Sequence, residues 1–227
     1  MKLGIMCASQ NELRPLTGKL ENSSVSSYLG REFFSGSYHG VDTVVVMGGV
    51  GKVNAAVTVQ TLIQCYGVDT IIFIGVAGGM DDSLSIGDVI IGTQLLYHDL
   101  PMELVNNNDM FPDMPRDCFS SDPALVELCR GLGANLRFGK IVTGDAFITG
   151  DGRHEIIEKH HPLCVDMESA AAAQVCWFFH TPLLVIRSLS DFADDEAADT
   201  YEENVRGSVA SAAQVLDDVV RKLGEKS

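Results

Sequence analysis

Residues 69–79, Asp-Thr-Ile-Ile-Phe-Ile-Gly-Val-Ala-Gly-Gly, constrain the fold of this 227-residue chain more than any other segment. A near-continuous apolar run of this length, ending in glycines, reads as a central strand buried on both faces. Residues 181–189 repeat the pattern and read as a last buried strand. Shorter apolar runs at 2–7, 86–92, 139–143 and 164–167 supply further strands, and 31–38 with 41–47 flank the turn-like His39-Gly40 as a hairpin. Between them lie helical patterns. Ser9-Gln10-Asn11-Glu12 opens one that runs through Leu13, Leu16 and Leu20. Residues 52–66 carry Val53, Ala56, Val57, Val59, Leu62 and Ile63 mostly on one face, and further helices are expected near 153–160, 168–179 and 200–223. The last shows Tyr201, Val205, Val209, Ala212, Leu216, Val219 and Leu223 at three- and four-residue steps, one stripe for one sheet face. Alternating strands and helices of this kind give an α/β sandwich around a mixed sheet.

No stretch has the composition of a linker, so 1–227 is read as one domain. The segment 100–122 fits neither period: it holds three prolines, Asn106-Asn107-Asn108, and the exposed-looking Met102, Leu104, Phe111 and Met114. Such a long loop inside a compact domain is read as a substrate lid or a dimer contact. Sixteen Lys and Arg against 31 Asp and Glu leave a net charge of −15, whose field repels nucleic acid and anionic membranes. Six cysteines show no C-x-x-C pair and no zinc-finger spacing, and the apolar start is too short for a signal peptide, so the expected compartment is the cytoplasm.

Ligands of open α/β sheets bind beyond the carboxyl ends of the strands. The polar residues expected there are Glu12, Asp145, Glu168, Ser190 and Asp191, together with Gly78-Gly79. If the strands are roughly parallel, these carboxylates converge on one edge above an apolar floor, a setting for acid/base work. Each has a plainer explanation: Glu12 and Glu168 suit a first helical turn, and Asp191 precedes an acidic loop. Arg187, inside an apolar strand, requires a carboxylate partner, as a catalytic element or as a buried ion pair. Gly49-Val50-Gly51-Lys52-Val53-Asn54 imitates a dinucleotide or phosphate loop, but lacks the third glycine and the Ser or Thr after the lysine, which excludes NAD and ATP. His98-Asp99 and His160-His161 lack metal-ligand spacing and read as surface residues, leaving no metal and no cofactor.

Five segments in order, 49–56, Gly75-Val76-Ala77-Gly78-Gly79, Gly144-Asp145-Ala146-Phe147-Ile148, Val165-Asp166-Met167-Glu168-Ser169-Ala170-Ala171 and Arg187-Ser188-Leu189-Ser190-Asp191, together resemble the 5'-methylthioadenosine/S-adenosylhomocysteine nucleosidases. The resemblance runs from residue 1 to about 223. It implies a nucleoside phosphorylase-like, three-layer α/β/α sandwich with a central mixed sheet, usually a homodimer, acting on a small nucleoside. It further implies that Asp191 protonates the purine N7, Glu12 activates the attacking water, Met167 and Glu168 hold the ribose, Phe147 stacks on adenine, the Ile148 backbone reads its edge, and Arg187 orients the carboxylates. Two departures stand out. Val76 occupies a position where the family often has serine, and Leu100-Pro101-Met102-Glu103-Leu104-Val105 replaces an aromatic-containing stretch, which leaves Met102, Val105 and Phe111 to form the 5'-alkylthio pocket. Rival expectations are a purine or uridine phosphorylase, a futalosine-type nucleosidase, and a non-catalytic nucleoside-binding protein. Against the phosphorylases, Glu12 would repel phosphate and no arginine lies between 32 and 115.

Overall fold

The computed structural model describes residues 1–100, 104, 114–115, 118–133 and 135–225. Nine strands among them form one mixed sheet: β1 (Lys2–Cys7), β2 (Glu21–Tyr28), β3 (Arg31–Tyr38), β4 (Val41–Met47), β5 (Thr70–Gly79), β6 (Val89–Tyr97), β7 (Leu136–Thr143), β8 (Cys164–Asp166) and β9 (Leu183–Asp191). The helices are α1 (Gln10–Thr17), α2 (Lys52–Tyr66), α3 (Pro123–Arg130), α4 (Asp151–His160), α5 (Ser169–Phe179) and α6 (Ala197–Gly224).

The strand order is β2-β3-β4-β1-β5-β8-β7-β6-β9, and β9 pairs back onto β5, so the last five strands close into a ring. β1, β4, β5 and β9 run parallel, whereas β6 opposes β9 and β8 opposes β5. The strands are therefore not all roughly parallel, as the sequence reading required. The acids still meet, because β8 pairs only with the far end of β5, Val165 opposite Gly78 and Cys164 opposite Gly79. Running backwards along β5, β8 returns its own carboxyl end to the sheet instead of carrying it away.

Side chains alternate across the sheet with the two-residue strand period. Leu3, Ile5, Ile72, Ile74, Leu184 and Ile186 pack beneath α1, α3 and α6, while Met6, Ile71, Phe73, Leu183 and Val185 pack beneath α2 and α5. These layers are the expected α/β/α sandwich. Two elements were not anticipated. β2 is Glu-Asn-Ser-Ser-Val-Ser-Ser-Tyr, exposed along its whole length, and is a strand because β3 supplies its hydrogen-bonding partner. α3 starts where the Asp122 carboxylate accepts the Ala124 and Leu125 N–H groups at 2.9 and 3.1 Å, with Pro123 in the first turn.

Most of 100–122, including Met102, Val105 and Phe111, lies outside the described residues. Within its described part, Met114 is buried rather than exposed, and Phe119 bridges to Leu95 through two backbone hydrogen bonds of 2.8 and 2.9 Å. His160 is likewise buried, not a surface histidine.

Candidate active site

β1, β5 and β9 end side by side, and a cavity of about 230 Å³ opens where they stop. Glu12 enters it from the first turn of α1, which follows β1 after two residues. Its Oε2 accepts the N–H groups of Ala8 and Ser9, both at 2.8 Å, and its Oε1 accepts the Val76 N–H at 3.0 Å. Both oxygens act as acceptors, the role of an ionised carboxylate. The helix end alone does not account for Glu12, since a capping acid has no need to reach across to β5.

Asp191 enters from the end of β9. Its Oδ1 accepts the Ala193 N–H at 2.9 Å, and the Ser190 hydroxyl lies 2.8 Å from Oδ2. Burial raises the Asp191 carboxyl above its ordinary pKa, against the opposing pull of the Ala193 N–H and Ser190 hydroxyl. Such a group keeps its proton to higher pH than a solvated aspartate. Glycine makes room for these acids: a Cβ on Gly78 would sit 2.9 Å from Asp191 Oδ1, and one on Gly75 would sit 2.7 Å from Glu12 Oε1 and collide with the Arg187 guanidinium. The Gly-Val-Ala-Gly-Gly end of β5 is thus the floor against which the charged groups lie.

Arg187 is 1% exposed and stacks on the Phe73 ring, its guanidinium carbon 4.0 Å from the ring centre. Its closest carboxylate is neither Glu12 nor Asp191 but Asp166, at 2.8 Å from Nε. Asp166 also accepts from the Thr143 hydroxyl at 2.6 Å, the Ser169 hydroxyl, and the backbone N–H groups of Glu168 and Ser169. Burial alone would raise its pKa, but Arg187 and these donors outweigh that and hold it below the ordinary value. Arg187 Nη2 reaches Ser169 Oγ at 3.1 Å and Glu168 Oε2 at 3.5 Å. Glu168, at the N-cap of α5, also accepts the Gly51 N–H at 2.9 Å. For Glu168 burial is the largest influence, and with the repulsion of Asp166 and Glu12 it outweighs Arg187 and the Gly51 N–H and pushes the pKa up to about 7.

Glu12, Asp191, Met167, Glu168, Phe147 and Ile148 all line the cavity, whereas Arg187 lies behind its wall. Asp145 departs from its expected place, turning away toward Lys52. Two lining residues escaped the sequence reading. Asp166 is the partner that a buried Arg187 demands, and an acid closing the short apolar run Cys164-Val165 was the signal for it. Tyr201, from the first turns of α6, meets the half-exposed Phe147 edge-on with ring centres 6.3 Å apart, and no periodicity distinguishes it from the rest of α6. Phe192, next to Asp191, packs against Gly79 and is not part of the lining. Among the described residues the lining holds four carboxylates and no lysine or arginine, and no cluster of three metal-ligating side chains occurs.

The family model described as the phosphorylase superfamily matches residues 2–223. The 5'-methylthioadenosine/S-adenosylhomocysteine nucleosidase of Halalkalibacterium halodurans is 34% identical over 229 residues, spanning 98% of this chain and 99% of that protein. The chain belongs to this nucleosidase family. Among solved structures, the family member from S. pneumoniae, bound to the transition-state inhibitor MT-ImmA, superposes with a TM-score of 0.91 at 33% identity, over 98% of this chain and 100% of that one. Futalosine hydrolase of Helicobacter pylori has the same TM-score of 0.91 at 27% identity, over 98% of each chain. The chain is accordingly an N-glycoside hydrolase of the nucleosidase family.

Proposed function

We propose that this enzyme hydrolyses the N-glycosidic bond of 5'-methylthioadenosine and S-adenosylhomocysteine, and of 5'-deoxyadenosine by the same chemistry, releasing adenine and the 5-substituted ribose. The observation that carries this reading is the cavity's composition. A buried aspartate with a raised pKa and a glutamate held by three amides share it, and no cation lines it among the described residues. A phosphate nucleophile would be repelled by these carboxylates, whereas water would not.

In the proposed reaction Asp191 delivers its proton to the purine N7 as the C1'–N9 bond breaks, so that adenine leaves as a neutral base. Glu12 accepts a proton from the water whose oxygen forms the new bond to C1'. Its negative charge also stabilises the oxocarbenium-like sugar of the transition state. Glu168 and Met167 hold the ribose, Phe147 covers one face of the base and the Ile148 backbone reads its edge. Arg187, paired with Asp166, fixes Glu168 from behind the wall.

A homodimer fits the exposed Val50, in the cavity lining, and Val53, in the first turn of α2, which offer apolar surface to a second copy. Product analysis with 5'-methylthioadenosine, with and without phosphate, tests the function. Adenine and methylthioribose formed at equal rates in both buffers are expected. A sugar 1-phosphate formed only with phosphate would make the protein a phosphorylase. Cleavage of futalosine but not of 5'-methylthioadenosine would move it to the futalosine hydrolases.

A further inference from the structure

Lys52, in the segment that imitates a phosphate loop, is engaged in a closed ring of contacts beside the cavity. Its Nζ lies 2.6 Å from Asp99 Oδ2 and 3.7 Å from Asp145 Oδ2, and its backbone N–H donates to Asp145 Oδ1 at 2.8 Å. The Asp145 N–H in turn donates to Asp99 Oδ2 at 3.0 Å. The lysine ammonium also lies over the Tyr97 ring, 5.4 Å from its centre. Three segments distant in sequence meet here: the start of α2, the end of β6, and the loop that follows β7.

Each of the two loops joined by the ring carries part of the site. Asp145 is followed directly by Ala146, Phe147 and Ile148, all of which line the cavity. Lys52 is preceded by Val50, also in the lining, and by Gly51, whose N–H holds Glu168. The ring itself contributes no lining atom. Burial would raise the Asp99 carboxyl, but Lys52 and the Asp145 N–H outweigh it and keep Asp99 below its ordinary pKa, so this carboxylate stays charged across neutral pH.

We propose that Lys52 is a positioning residue for purine recognition: bridging Asp99 and Asp145, it locks the loop carrying Phe147 and Ile148 in the place where adenine binds. The inference rests on the nucleosidase reading of the same cavity. The side chains of Lys52 and Asp99 are 26% and 30% exposed and that of Asp145 is 49% exposed, so the ring adds little to global stability. Its effect is local. Phe147 and Ile148 line the cavity away from the bond that breaks in the proposed reaction, so their loss counts as loss of uniform binding, which raises KM while leaving kcat in place.

The test compares the full-length wild type with Lys52→Met and Lys52→Arg, measuring 5'-methylthioadenosine kinetics, adenine affinity by calorimetry, and Tm. For Lys52→Met, KM and the adenine Kd are expected to rise about tenfold with kcat within about twofold. Lys52→Arg restores most of the loss because guanidinium can bridge both carboxylates. Raising salt from about 0.05 to about 0.5 M should raise KM for the wild type more than for Lys52→Met, since partly exposed ion pairs are screened. Unchanged KM and adenine affinity in Lys52→Met would overturn the proposal. So would a fall in Tm and kcat together that Lys52→Arg does not rescue, the mark of a merely structural lysine. Adenine binding does not depend on turnover: a wild type that binds adenine but leaves 5'-methylthioadenosine intact refutes the substrate while still testing the ring, and one that binds no adenine refutes both.

Discussion

Asp191 and Glu168 are both buried acids, but they have different neighbours, and the neighbours set their use. Burial raises both: Glu168 is pushed up to about 7, with Asp166 and Glu12 repelling its charge against the pull of Arg187 and the Gly51 N–H, while Asp191 has no cation beside it, only one N–H, one hydroxyl and the repulsion of Asp194. A carboxyl whose folded pKa is raised binds more protons folded than unfolded. The wild type therefore loses stability as pH rises from the unfolded aspartate value through the folded one. Asp191→Asn removes that ionisation. Its Tm at neutral pH is expected to equal or exceed that of the wild type, while kcat falls about 10²- to 10⁴-fold for want of a proton donor and nucleoside binding persists. Thermal melts across pH, paired with turnover and with binding of 5'-methylthioadenosine to the inactive variant, check this. Retained turnover would remove Asp191 from the chemistry. Glu12 and Asp191 could be picked out in the sequence because one stands in the helical turn that follows the first apolar run and the other closes the last one. Asp166 carries one local signal, an acid closing the short apolar run Cys164-Val165, but its role comes from its pairing with Arg187, 21 positions away.

At the scale of elements, α6 is fastened to the rest of the molecule by more than its apolar stripe. Asp217 on α6 accepts from Lys19 at 2.9 Å and from Arg221 at 2.6 Å, with the His39 ring at 3.0 Å and the Tyr38 hydroxyl at 3.2 Å. It thereby ties the helix to the end of α1 and to the turn between β3 and β4. Burial opposes the charge, but Lys19 and His39 outweigh it and lower the Asp217 pKa to about 2. A depressed folded value means that the stabilisation is complete above the unfolded aspartate pKa, near 3.9, and drains away as pH falls through about 2. Asp217→Asn is expected to lower Tm at pH 7 and to lose that deficit progressively between about pH 4 and pH 2. A constant deficit across that range, read by calorimetry, would mean that packing rather than charge sets the role of Asp217. The helix itself was legible because its stripe, from Tyr201 to Leu223, spans about six turns. β2 was not, because a polar edge strand has no apolar signature and is defined by its neighbour.

Over the whole molecule, the strand order depends on a ring that no local pattern announces. The buried runs forming β5 and β9 marked the centre of the sheet, but their direct pairing and the reversal of β6, β7 and β8 are long-range facts. The sheet so closed gathers carboxylates from α1, β8, the N-cap of α5 and β9 into one cavity, inside a chain already at −15. The two scales of charge act in the same direction. The overall field disfavours approach of anions, and the lining disfavours their residence. A nucleoside bearing a 5'-phosphate should therefore be rejected even though its adenine and ribose match those of 5'-methylthioadenosine. One phosphate charge about 6 Å from one carboxylate, at an effective dielectric of about 20, is opposed by roughly 2–3 kcal/mol, or about a hundredfold in affinity. Adenosine 5'-monophosphate is expected to inhibit turnover of 5'-methylthioadenosine about a hundredfold more weakly than adenosine does, with part of the gap closing as salt screens the outer field. Equal inhibition by the two would show that the 5' end of the substrate lies clear of the carboxylates, and would shift discrimination among 5'-substituents from charge to shape.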